Sequence, residues 1–144
     1  MIEKQLARHS ENRVRGRILL SLLVVTPLGF LSKLYAGPAR GWFNNYAAGV
    51  LYEVFWCLVL FFFWPRRKSA MKIAVGVLAT TSALEVLQLW HPGLLEQIRS
   101  TFLGRALLGT TFAWWDFPHY VLGCALGWFW MRSKNRSPER LAGR

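Results

Sequence analysis

The sequence predicts an all-α integral membrane protein: a four-helix bundle with a short amphipathic or re-entrant segment between its third and fourth spans. Three observations lead there. First, 53% of the 144 residues are hydrophobic, and they fall into four blocks at 18–31, 47–64, 73–90 and 117–131. A spanning helix needs about 20 apolar residues (range roughly 17–25), which the second and third blocks supply alone. The first and fourth reach that length if flanking residues such as Lys33 and Arg132 lay their stems along apolar surface. Second, the positive charge is segregated. Residues 1–17 hold Lys4, Arg8, Arg13, Arg15 and Arg17; residues 65–72 hold Arg66, Arg67, Lys68 and Lys72; the stretch from residue 132 holds five more cations. The other two connections hold only Lys33, Arg40, Arg99 and Arg105. Third, Trp42, Trp64, Trp90, Trp114, Trp115, Trp128 and Trp130 fall at or near block ends, where an indole lies best at a membrane–water boundary. A soluble helical bundle is the competing fold, but so short a chain leaves too little polar surface to wrap four such blocks.

In chain order, residues 1–17 read as a basic cytoplasmic segment, 18–131 as the membrane domain and 132–144 as a basic cytoplasmic tail. Cationic connections stay in the cytoplasm, so both ends are expected inside the bacterial inner membrane. They would rest against anionic headgroups, at about 1 kcal/mol per residue near the surface. The net charge of +11 is therefore no nucleic-acid signature, and no aromatic or glycine-rich nucleic-acid motif accompanies it. The first block lacks a small-x-small cleavage site and is expected to remain as a span. Cys57 and Cys124 both lie in apolar blocks without metal spacing and read as buried free thiols.

The second span carries one charge, Glu53, and the third carries one, Glu85. Counted from the outer ends at residues 47 and 90, the two lie about 9 Å and 8 Å deep at roughly 1.5 Å per residue. Thr81, Glu85 and Gln88 share a helix face. Such a stripe should meet protein or water, since an isolated ionised carboxylate in hydrocarbon must be paired, hydrated or protonated. Between spans three and four, Leu94, Leu95, Ile98 and Phe102 line one side of a helix, and Glu96, Gln97 and Arg99 line the rest. This reads as an amphipathic helix on the outer face, followed after Gly104 by a second apolar piece at 106–112. In "WWDFPHY", Asp116 opens the last span, with Pro118 in its first turn. Asp116, Tyr120, Gly123 and Gly127 share a face, and Gly123-xxx-Gly127 lets another helix approach closely.

The candidate binding residues are thus Glu53, Glu85, Gln88, Arg99, Arg105, Asp116 and Tyr120, with Gly123 and Gly127 as helix-packing positions. Two readings fit them. Arg99 or Arg105 pairs with Glu85 or Asp116 and pins the outer segment; or guanidinium groups hold a phosphate or carboxylate while the acids hold an amine or a proton.

"ALEVLQLW" with "IRSTFLGRALLGTTFAWWDFPHYVLG" resembles the bacterial membrane family known as domain of unknown function 2809, over about residues 25 to 130. The resemblance rests on a Glu-x-x-Gln pair closing a span (Glu85, Gln88), an outer stretch with Arg99 and Arg105, and Gly109, Phe112, Asp116, Tyr120 and Gly123 opening the last span. More distantly, the chain is similar to the VanZ-like family, which shares an acid-x-x-Gln, Arg, Asp order and is associated with glycopeptide-antibiotic resistance. The resemblance implies the membrane fold and the polar cluster, but no cofactor and no reaction.

Three function classes remain open. One is an envelope protein binding an anionic lipid or lipid-linked precursor at the outer leaflet. The second is an accessory or structural subunit of a larger membrane complex, in which His91 or His119 could ligate a pigment or haem. The third is an intramembrane enzyme using paired acids. No nucleophile–base pair, HExxH or histidine cluster occurs, so no catalytic or metal residue is assigned and the reading leans away from an enzyme. The expected partners are membrane lipids and other membrane subunits, not nucleic acid.

Overall fold

The computed structural model describes residues 2–108 and 111–134, and all regular structure among them is helical. The helices are α1 (Ile2–Leu34), α2 (Arg40–Trp42), α3 (Ala48–Phe63), α4 (Ser69–Leu87), α5 (Gly93–Ser100), α6 (Phe102–Leu108) and α7 (Asp116–Lys134), with a π turn at Phe43–Ala47 joining α2 to α3. Two helical stretches, His9–Leu34 and Ser69–Leu87, are long and apolar enough to cross a membrane, and α3 is a shorter apolar helix.

Four long helices run alternately up and down. The Arg15 guanidinium of α1 stands 5.8 Å from the centre of the Phe62 ring near the end of α3, while the last turn of α1 meets the π turn before α3. There Asn44, with its amide nitrogen turned toward α1, donates to the carbonyls of Ser32 and Tyr35. α3 and α7 run side by side in the same direction, because Gly123 lies against Glu53 and Gly127 against Cys57. α4 runs against both. The core is Ile18 and Val25 from α1, Val54, Leu58 and Phe61 from α3, Ala70, Ala74 and Val77 from α4, and Met131 from α7.

The π turn explains one difference from the sequence reading. The apolar block starts at residue 47, but the helical path already begins at Arg40. The added turn pushes Glu53 down. Glu53 packs at the level of Gly123, and Glu85 bonds at the level of Tyr120, so Glu53 lies one turn, roughly 5 Å, deeper than Glu85. The expected matching depths are corrected accordingly.

Two further boundaries move. α1 is one helix from Ile2, so residues 2–17 of the basic segment are its first half and already place Val14 in the core. The α5–α6 break falls at Thr101, not at Gly104. Thr101 is extended (φ −79°, ψ 155°), and its Oγ1 accepts the amide N–H of Gly104 at 3.0 Å, which caps α6. Phe102 therefore begins α6 instead of continuing the face of Leu94, Leu95 and Ile98. Gly104 sits tight in this elbow, where a Cβ would collide with the Ile98 carbonyl.

The two ends of the bundle differ. One end gathers Arg15, the loop Arg66 to Lys68, Arg132 and Lys134; Arg132 lies 4.7 Å over the Trp128 ring. The other end carries α5, α6 and a polar cavity.

Candidate functional site

The cavity has a volume of about 490 Å³ and is lined from α1, the π turn, α3, α4, α6 and α7. Its wall is built around Glu85. This side chain is 1% exposed, yet no described cation comes within ion-pair distance of it. Its charge meets three neutral donors instead. Gln88 Nε2 donates to Oε2 at 2.9 Å from one turn along α4. The Tyr120 hydroxyl donates to the same oxygen at 2.8 Å from α7. The Ala113 amide N–H donates to Oε1 at 2.7 Å from the connection after α6. Hydrogen bonds to an ionised acceptor are about twice as strong as neutral ones, so one carboxylate ties three segments together.

Arg99 has a different task from the one expected. It is 4% exposed and neither pairs with Glu85 or Asp116 nor lines this cavity. Its Nη2 donates to the Leu87 carbonyl at 3.0 Å, and its Nη1 donates to the Trp90 carbonyl at 3.1 Å and to Glu96 Oε1 at 3.3 Å. The last carbonyls of a helix have no partner within it, and a guanidinium fork suits them. Arg99 thus caps α4 and seats α5 beneath it. Arg99→Met keeps the stem and removes the fork, taking this donor from the Trp90 carbonyl and the second of two donors from the Leu87 carbonyl, which keeps the Trp90 N–H. It is expected to lower stability by about 2 kcal/mol in chemical unfolding followed by tryptophan fluorescence. A loss below about 0.5 kcal/mol would show that water replaces the guanidinium.

The structure brings Glu85, Gln88, Asp116, Tyr120 and Arg105 of the candidate residues around the cavity. It adds Lys33, Tyr46, Tyr52 and His119, which were not among the candidate binding residues, His119 having been considered only as a pigment or haem ligand. Lys33 had a signal, being one of only four cations on its side of the bundle. The meeting of His119 with Tyr46 had none, because it depends on the π turn. The rings stack at 4.4 Å and 17°. His119 Nδ1 lies 2.6 Å from the Trp115 carbonyl, which can only accept, so Nδ1 carries a hydrogen.

Glu53 lies under the cavity, fully buried, with Cys124 Sγ donating to its Oε2 at 3.1 Å. Gly123 and Gly127 form the α3–α7 contact. A Cβ at Gly123 would stand 2.6 Å from Glu53 Cβ, and one at Gly127 would stand 2.8 Å from Cys57 Cβ. Arg105 lines a second cavity of about 300 Å³ as well, together with Arg99, Glu96 and His91. Gly109 of the sequence motif and residues 135–144 of the basic tail lie outside the described residues. No group of three or more His, Cys, Asp or Glu that could hold a metal ion occurs among the described residues.

Fold and site define an all-helical protein with an open polar cavity at one end of its bundle. The family model for "Protein of unknown function (DUF2809)" matches residues 39–124, from α2 through the turn of α7 that holds Gly123 and Cys124. The chain belongs to that family. No solved structure matches it.

Proposed function

We propose that this is a four-span protein of the bacterial inner membrane, with residues 1–17 and 132–144 on the cytoplasmic side. Its outer cavity receives the phosphate-bearing, anionic headgroup of a lipid or lipid-linked envelope precursor. Only 22% of the apolar window in His9–Leu34 and 28% of that in Ser69–Leu87 are buried, which speaks for lipid around them and against a soluble core. Leu19, Leu23 and Phe30 of α1 and Phe129 of α7 all face outward. The clustering of cations at one end, with exposed Trp90, Trp114 and Trp115 at the other, supports the orientation.

The observation that carries the binding reading is that Lys33 and Arg105 face an open cavity with no carboxylate in ion-pair contact. Extraction of the wild type in a native polymer, with bound lipid identified by mass spectrometry, is expected to recover a defined phosphate-containing lipid. Lys33→Ala with Arg105→Ala should lose it. Equal recovery from both proteins would end the binding reading. A fixed set of co-purifying proteins in place of lipid would favour a complex subunit.

A further inference from the structure

Resting on that reading, we infer that the headgroup taken up by the cavity carries a primary ammonium beside its phosphate, as a phosphoethanolamine group does. The charges that face the cavity are of both signs. Lys33 reaches it from the last turn of α1 and Arg105 from α6, whereas Asp116 reaches it from the first turn of α7. Among the described residues the one ion pair within 4.0 Å is Arg99 with Glu96, so these three groups share a space without contact. Asp116 lies within electrostatic reach of Lys33 and His119. The Glu85 charge, in contrast, already has its three donors and asks for nothing more.

A phosphate alone fits this arrangement poorly. It would match Lys33 and Arg105 but bring a second negative charge toward Asp116. It would also leave the wall one donor short. Gln88 lines the cavity and is 6% exposed; its Nε2 is committed to Glu85, and its Oε1 is buried without a donor. That oxygen accepts only, and an ionised phosphate ester has no hydrogen to offer it. An ammonium has three. Placed on the Gln88 and Asp116 side, it supplies the missing donor and neutralises the acid, while the phosphate meets the two cations. A trimethylammonium lacks N–H donors and is held by open aromatic faces. Here Tyr46 is already stacked on His119.

The same chemistry is present in an ethanolamine phospholipid and in soluble phosphoethanolamine. The full chain would be placed in vesicles with equal mole fractions of ethanolamine, glycerol and choline phospholipids, then extracted, and retained lipid counted by native mass spectrometry. Ethanolamine lipid should be retained about tenfold over the other two, the size expected for one charge-assisted contact. Asp116→Asn should abolish that preference, and Asp116→Lys should turn it toward glycerol lipid. Helicity and monodispersity, measured in parallel, report whether each variant is folded. Glycerol lipid retained as well as ethanolamine lipid, or a preference that survives both substitutions in folded protein, overturns the ammonium and leaves headgroup binding standing. Retention no greater than that of the Lys33→Ala, Arg105→Ala protein overturns both. Displacement by millimolar phosphoethanolamine shows that the headgroup suffices; lipid retained against it shows that the acyl chains contribute. Either result keeps the proposal.

Discussion

Glu85→Leu is expected to be among the most damaging single substitutions in the chain. It leaves the Gln88 amide, the Tyr120 hydroxyl and the Ala113 N–H without their acceptor in a place that is 1% exposed. An orphaned buried donor costs about 1–3 kcal/mol, so the sum is about 3–5 kcal/mol after local relaxation. Glu85→Gln should cost less, because its amide oxygen still accepts and the Tyr120 hydroxyl can rotate to accept from the new NH2 group. Tyr120→Phe removes one donor of three and should fall lower still, at about 1 kcal/mol. Unfolding of the purified protein by a strong detergent, followed by tryptophan fluorescence, gives this order. If Glu85→Leu unfolds at the wild-type midpoint, the carboxylate does not hold the segments together.

Gly123→Val is expected to separate α7 from α3. The new Cβ would lie 2.6 Å from Glu53 Cβ and 2.7 Å from the Val50 carbonyl oxygen. One of these is backbone in a straight helix and cannot yield cheaply. Overpacking of this kind costs about 1–3 kcal/mol, and a β-branched side chain against backbone belongs at or above the top of that range. The displacement should also carry Tyr120 away from Glu85, so lipid retention should drop with stability. Gly76 is the internal control. A Cβ there meets nothing within 4 Å, and Gly76→Ala should be neutral or stabilising by up to about 1 kcal/mol. Equal unfolding midpoints for Gly123→Val and Gly76→Ala would remove the close contact from the account.

The comparison of these glycines shows what sequence could convey. Gly123 and Gly127 were readable because their spacing alone defines a helix face. Glu85 and Gln88 were readable for the same reason, together with the cost of burying an acid among apolar residues. Arg99 was not. As a cation close in sequence to buried acids it invited pairing with them, but it meets the Leu87 carbonyl at the end of α4 and the Trp90 carbonyl just beyond it, and no periodicity reports where a helix end points. Thr101 was a legible cap residue that the amphipathic pattern through Phe102 obscured. The π turn was invisible, since FNNYA carries no pattern distinguishing five-residue from four-residue closure, and with it went the depth of Glu53 and the place of Tyr46.

The acceptor at Glu85 has a bearing on how the chain is assembled during synthesis. Its partners lie 3, 28 and 35 residues further along, so all three follow the end of α4, two of them by more than 20 residues. Until those two arrive, the carboxyl group stands at the open end of the α3–α4 hairpin, away from the turn at residues 64–68, with Gln88 as the one donor of the three already made. Arrival of the final helix then acts as the closing latch, and a nascent chain that ends before Tyr120 should leave the Ala113 segment undocked.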